Sequence, residues 1–148
     1  MSNRGIEIPL KYRMRESILN ENAPAIFFLH GYGSNMEDLF SLSQLFSDEW
    51  AIISFQASES IGFGGYAWAE LDFSNLRELP KPEQKVDSIH NIHNSISALS
   101  RKFNFDKNQI YILGFSQGSD LALSTGFIFP NFYKGIISLC GYFDVKKV

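Results

Sequence analysis

The stretch from Gln109 to Leu123, Q-I-Y-I-L-G-F-S-Q-G-S-D-L-A-L, constrains the fold more than any other. An apolar run, Ile110-Tyr111-Ile112-Leu113, meets a G-x-S-x-G pentapeptide, Gly114-Phe115-Ser116-Gln117-Gly118. Helix-like sequence follows at Asp120-Leu121-Ala122-Leu123. A serine that stands clear of a sheet needs a backbone that turns sharply from strand into helix. A side chain two residues to either side would crowd that turn, so both flanks are glycine. Ser116 is therefore the candidate nucleophile. The backbone N–H of Gln117 would point into the space where an oxyanion forms. The pentapeptide alone is a weak signal, and its place between strand-like and helix-like sequence gives it weight.

The rest of the chain reads as alternating strands and helices. Ile6, Ile8, Leu10, Tyr12 and Met14 alternate with polar residues and Pro9, which predicts a half-buried edge strand. Ala25 to Leu29, A-I-F-F-L, is continuously apolar, as in a strand buried on both faces. It enters His30-Gly31-Tyr32-Gly33-Ser34-Asn35, and Leu39, Leu42, Leu45 and Phe46 then follow at helical spacing. Ser34 and Asn35 are the candidate N-caps. A dinucleotide loop here would need glycine at position 36, which is Met36, and an acidic residue near Gln56 and Ala57. Two readings remain: a tight turn, or an H-G-x-G loop supplying a second oxyanion N–H opposite Ser116. His30 leads that loop and suits bracing it rather than acting as a base.

Trp50 to Phe55 predicts a further buried strand, and periodicity stops from Ala57 to Leu79. A loop of that length in a compact domain is usually functional. Its Tyr66, Trp68 and Phe73 either line an apolar substrate pocket or simply pack. Pro82 to Phe103 predicts a long helix with an apolar stripe from Val86 through Ile89, Ile92, Ile96 and Leu99. His90 and His93 share a face there, but no carboxylate or cysteine matches their spacing, so no metal site is expected. Leu121 to Phe127 continue the helix after Ser116 until Pro130. Ile136 to Cys140 predicts a last buried strand, with Cys140 a buried small residue. The order implies a single domain over 1–148, an α/β, three-layer α/β/α, doubly wound and mostly parallel sheet.

Composition excludes several classes. A net charge of −3 argues against a nucleic-acid partner. No run of eighteen apolar residues predicts a transmembrane helix, and the N-terminus has no apolar segment of signal length. The lone Cys140 excludes an internal disulfide and suits a reducing, cytoplasmic setting.

H-G-Y-G-S-N after a buried strand, G-G-Y-A-W in a middle loop, and G-F-S-Q-G followed by S-L-C-G-Y occur here in that order. Together, from Ala25 to Tyr142, they resemble the carboxylesterase/phospholipase branch of the α/β-hydrolases, the group that includes acyl-protein thioesterases. The resemblance implies a serine hydrolase acting on a small-molecule acyl ester or thioester without metal or organic cofactor. It implies Ser116 as nucleophile, the N–H groups of Tyr32 and Gln117 as oxyanion hole, and Trp68 near the acyl pocket. Ser119 departs from a usual glycine, and Cys140 from a frequent serine.

The larger departure is the missing partners of Ser116. The fold's order is Ser, then Asp or Glu, then His. All three histidines, His30, His90 and His93, precede Ser116, and Asp120 and Asp144 do not stand where the acid belongs. The triad Asp and His are thus not present in this chain. The expectation is a C-terminally incomplete hydrolase domain, about the front two-thirds, from a truncated form. An alternative is a non-catalytic remnant that pairs its open sheet edge, as a homo-oligomer or in a complex. A third reading draws the base from an upstream histidine.

Overall fold

The computed structural model describes residues 6–71, 74 and 82–143. The element order is β1 (Tyr12–Arg15), β2 (Ala25–Leu29), α1 (Met36–Phe40) with a 3-10 turn (Ser41–Leu45), and β3 (Ala51–Phe55). A hairpin follows, β4 (Glu59–Gly62) and β5 (Gly65–Ala67), then α2 (Pro82–Lys102), β6 (Ile110–Phe115), α3 (Gln117–Ile128) and β7 (Gly135–Leu139). The main sheet runs β1-β3-β2-β6-β7, with β1 antiparallel and the rest parallel.

Central β2 shows why its sequence has no alternation. Phe27 and Leu29 enter the core shared with Ile89, Ile92, Ile96, Leu99 and Leu121, from α2 and α3. Ile26 and Phe28 point the other way, onto Leu39, Leu42, Phe46 and Trp50. Helices therefore cover both faces, as three layers require. Asn35 caps α1, its Oδ1 accepting from the Glu37 N–H at 2.9 Å.

Five expectations change. The first strand is confined to Tyr12–Arg15, because Pro9 lacks an N–H and pairing with β3 begins only at Tyr12. The expected structureless stretch from Ala57 holds the β4–β5 hairpin, closed by Phe63 and Gly64, both at positive φ. A two-residue turn of that hand matches strand twist, but Phe at its first position hides the sequence signal. Val86 is exposed, and the buried face of α2 carries Lys85 and Ser88 instead, because both find polar partners inside. β7 pairs only with β6 among the described residues, so Ile137 and Leu139 stay partly exposed. Cys140 is exposed too, at a φ of 55°, immediately beyond that edge strand.

Candidate active site

The site stands at the carboxyl ends of β2 and β6. Their register pairs Leu29 with Gly114, so the loop after β2 and the turn after β6 leave the sheet side by side. Ser116 has φ 52° and ψ −116°, outside the regions open to ordinary L-residues. Such strain persists only where the surroundings over-determine it. Here the Ser116 N–H donates to Leu139 O at 2.9 Å, and Ser116 O accepts from the Ser119 N–H at 3.0 Å. The glycines permit the turn. A Cβ on Gly118 would lie 2.1 Å from Leu29 O, and one on Gly114 2.2 Å from Gly118 O, so β2, β6 and α3 pack backbone against backbone. Ser116 is exposed, and its hydroxyl makes no hydrogen bond among the described residues.

The His30–Asn35 loop lies against this turn. A Cβ on Gly31 would be 3.5 Å from Ser116 Cβ. Tyr32 follows directly and is half-buried. The loop is tied to the hairpin: Gly33 N–H donates to Tyr66 O at 2.9 Å, and Tyr66 N–H to Ser34 O at 2.8 Å. His30 is fully buried and braces the loop. Its Nδ1 lies 2.8 Å from Gly31 O, so Nδ1 carries the proton, and Nε2 accepts from the Ala57 N–H at 3.1 Å. Burial pushes its pKa below the ordinary 6.5, against the opposing pull of the Gly31 carbonyl and Asp38. Both ring nitrogens are occupied away from Ser116.

Trp68 and Gln117 join these loops. The Trp68 indole N–H donates to His30 O at 2.8 Å, and the ring is 1% exposed. Gln117 grips the same segment twice, accepting from the Trp68 N–H at 3.0 Å and donating to Ala69 O at 2.7 Å. Trp68 thus sits as a brace inside the core. Tyr66 lines a cleft of about 400 Å³ with Lys11, Asn35, Met36, Gln56 and Gly64. Phe73 lies outside the described residues.

Sequence reasoning missed two supports. The Gln117 side chain is one, because only the folded hairpin brings Trp68 and Ala69 to it. Lys85 is the other: its Nζ lies 3.1 Å from Asp120 Oδ1, with both side chains largely buried, which ties α2 to the first turn of α3. Asp120 is thereby committed. Ser119, also buried, meets Ser138 hydroxyl to hydroxyl, so the hydroxyl that departs from glycine is absorbed against β7. His93 stacks on Phe129 with centroids 3.6 Å apart, and its Nδ1 lies 2.7 Å from the Tyr133 hydroxyl. Among the described residues no cluster of His, Cys, Asp or Glu could hold a metal, and no helix is long and apolar enough to cross a membrane.

Comparison with known proteins gives the family and the fold. Residues 15–147 match the Phospholipase/Carboxylesterase family model. NocK of Nocardia uniformis subsp. tsuyamanensis, which carries an esterase designation, is 27% identical over 135 residues, covering 88% of this chain and 37% of NocK. The crystal structure of esterase PE8 superposes with a TM-score of 0.82 at 26% identity, covering 92% of this chain and 66% of that one. The Bacillus cereus carboxylesterase gives a TM-score of 0.71 at 22% identity, covering 86% and 57%. The chain spans less than two thirds of the length of each of these relatives. It belongs to the phospholipase/carboxylesterase family and has the α/β-hydrolase fold.

Proposed function

We propose that this member of the phospholipase/carboxylesterase family is a serine hydrolase of carboxylic esters or thioesters, with Ser116 as its nucleophile. The observation that carries the reading is the strained, exposed Ser116 at φ 52°, held between β6 and α3 by backbone contacts that exclude any residue but glycine at 114 and 118. Strain of this kind at an exposed hydroxyl serves presentation, since a relaxed turn would leave the serine lying on the sheet.

In this reading Ser116 attacks the acyl carbonyl and forms a tetrahedral intermediate. The Tyr32 and Gln117 N–H groups stabilise its oxyanion, each donor being worth about 3 kcal/mol. The intermediate collapses with cleavage of the acyl C–O or C–S bond, the alcohol or thiol leaves with the proton taken from Ser116, and water then attacks the acyl-enzyme to release the acid and restore the serine. The role of Gln117 is supported by its side chain, which is pinned to Trp68 and Ala69 and so fixes the peptide carrying its N–H. Trp68 and Tyr66 would shape the acyl pocket by holding its walls. His30 and His93 are already engaged and Asp120 is paired with Lys85, so none of these three is free to serve Ser116 as base or as the acid behind it. The lone cysteine suits a cytoplasmic enzyme.

A second reading rests on β7. Among the described residues no strand covers its outer edge, and exposed Ile137 and Leu139 with no charged residue on the strand suit that edge to pairing with a second copy or another chain, without catalysis. One pair of measurements separates the two. The native protein from its own source is weighed intact and assayed on short acyl esters and acyl thioesters, beside a Ser116→Ala version. Turnover lost in the variant is the expected result. Turnover that survives the substitution refutes Ser116 as nucleophile, and an inactive native protein that is dimeric favours the edge reading.

A further inference from the structure

The cleft of about 400 Å³ that Tyr66 lines opens at the carboxyl end of the sheet on its β1 side, and Ser116 is not among its lining residues. Lys11 precedes β1, Gln56 follows β3, and Met36 begins α1. Antiparallel pairing of Tyr12 with Phe55 brings Lys11 and Gln56 to the same end, where the Gln56 N–H donates to Lys11 O at 2.9 Å. The volume falls in the range of about 300–1,000 Å³ usual for small-molecule sites. The carboxyl ends of the strands are also where open α/β sheets take their ligands.

Gln56 distinguishes this cleft from a surface dent. The residue is only 8% exposed. Its Oε1 accepts from the Met36 N–H at 2.8 Å, which fixes the carboxamide and leaves Nε2 as the other end. A polar group this buried is ordinarily hydrogen-bonded, yet among the described residues Nε2 meets no acceptor. The Tyr66 hydroxyl and the Lys11 ammonium likewise make no hydrogen bond or ion pair among the described residues. The acceptors beside them are committed. Asn35 Oδ1 takes the Glu37 N–H, the Glu37 carboxylate is paired with Arg13, and Gly64 O accepts from Asn35 Nδ2. Three donors, one of them a cation, therefore face a cleft whose remaining walls are the Met36 side chain and the Tyr66 ring.

We propose that this cleft binds a small monocarboxylate with a short apolar tail, its two oxygens shared among Gln56 Nε2, the Tyr66 hydroxyl and the Lys11 ammonium. A carboxylate has about four lone-pair sites, enough for all three donors. A neutral amide would leave the ammonium unanswered. One cation, with the paired Glu37 carboxylate on the rim, suits a single negative charge and not a phosphate dianion.

The test is titration of the full chain with sodium hexanoate, followed by calorimetry and by the NMR cross-peaks of the Gln56 side-chain amide. Wild type is expected to bind saturably with those cross-peaks moving, and to bind hexanamide about tenfold more weakly. Lys11→Met keeps the aliphatic stem and Tyr66→Phe keeps the ring, and each should weaken hexanoate about fivefold. Gln56→Glu preserves an acceptor for the Met36 N–H but sets an oxygen against the ligand, and should abolish binding. Ser116→Ala should bind like wild type, so the result is separate from any ester turnover. No saturable binding by wild type, equal binding of hexanamide, tighter binding of inorganic phosphate than of hexanoate, or an affinity unchanged by Lys11→Met and Tyr66→Phe overturns the proposal, whether or not Gln56→Glu folds.

Discussion

Removing one partner of the Lys85–Asp120 pair should be far more damaging than removing both. The two atoms are 3.1 Å apart, and the side chains are 7% and 19% exposed. Lys85→Met keeps the packing of the aliphatic stem but leaves the Asp120 carboxylate with little water and no cation. Breaking a buried pair this way costs ~3–5 kcal/mol, and the slightly wetter Asp120 places the expectation near ~3 kcal/mol. With ~2.1 cal/mol/K of unfolding entropy per residue, a chain of this length has about 0.3 kcal/mol/K, so the midpoint should fall by about 10 °C. Lys85→Met with Asp120→Leu removes both charges and should return to within ~1 kcal/mol of wild type. Urea unfolding of wild type, the singles and the double closes the cycle: if each single loses about 3 kcal/mol and the double about 1 kcal/mol, the coupling is about 5 kcal/mol. A single variant that loses less than ~0.5 kcal/mol, or losses that simply add, would refute the reasoning. The pair would then be exposed enough in solution to be solvated separately.

Gly118→Ala should destabilise by at least ~3 kcal/mol, because its Cβ would sit 2.1 Å from the Leu29 carbonyl and 2.5 Å from that of His30, backbone atoms that cannot swing aside. Calorimetry checks this, and a midpoint within about 2–3 °C of wild type would mean that the turn at Ser116 has room for a Cβ at 118. Acid sensitivity should come from His30 and His93, whose pKa values lie below the ordinary 6.5 through burial, aided at His93 by His90. The folded state then binds these protons more weakly than the unfolded chain, so their contribution is complete above about pH 6.5 and is lost as pH falls below it. Urea midpoints at pH 7.5 and 5.0 should converge in a His30→Gln, His93→Gln variant, and an unchanged difference would assign the acid loss to other groups. Ser138→Ala should cost about 1 kcal/mol by leaving the buried Ser119 hydroxyl without its partner, and a neutral result would show that Ser119 finds another.

Sequence by itself determined the frame of this molecule. Continuous apolar runs at Ala25–Leu29 and Ile110–Leu113 can be satisfied only by strands covered on both faces, and helical stripes between them supply the covers. Gly114 and Gly118 are readable for the same reason: the backbone approach they allow is local to the turn, and no other residue fits it. The His30–Asn35 loop read either as a tight turn or as a second oxyanion loop, and its place beside Ser116 comes from the pairing of β2 with β6, which alternation of elements does not fix. What the tertiary structure decided is pairing between segments distant in sequence. Lys85 reads as a surface residue until Asp120, 35 positions away, is folded against it. Gln117 reads as an ordinary first helical residue until the hairpin delivers Trp68 and Ala69 to its amide. The hairpin itself escaped notice because Phe63 sits where glycine or asparagine would announce a turn. Cys140 and the outer half of β7 read as buried because apolar runs do not say which strand is last. Periodicity records how a segment is covered on average, whereas burial of a given side chain depends on the neighbour that arrives, and that is a property of the assembled sheet.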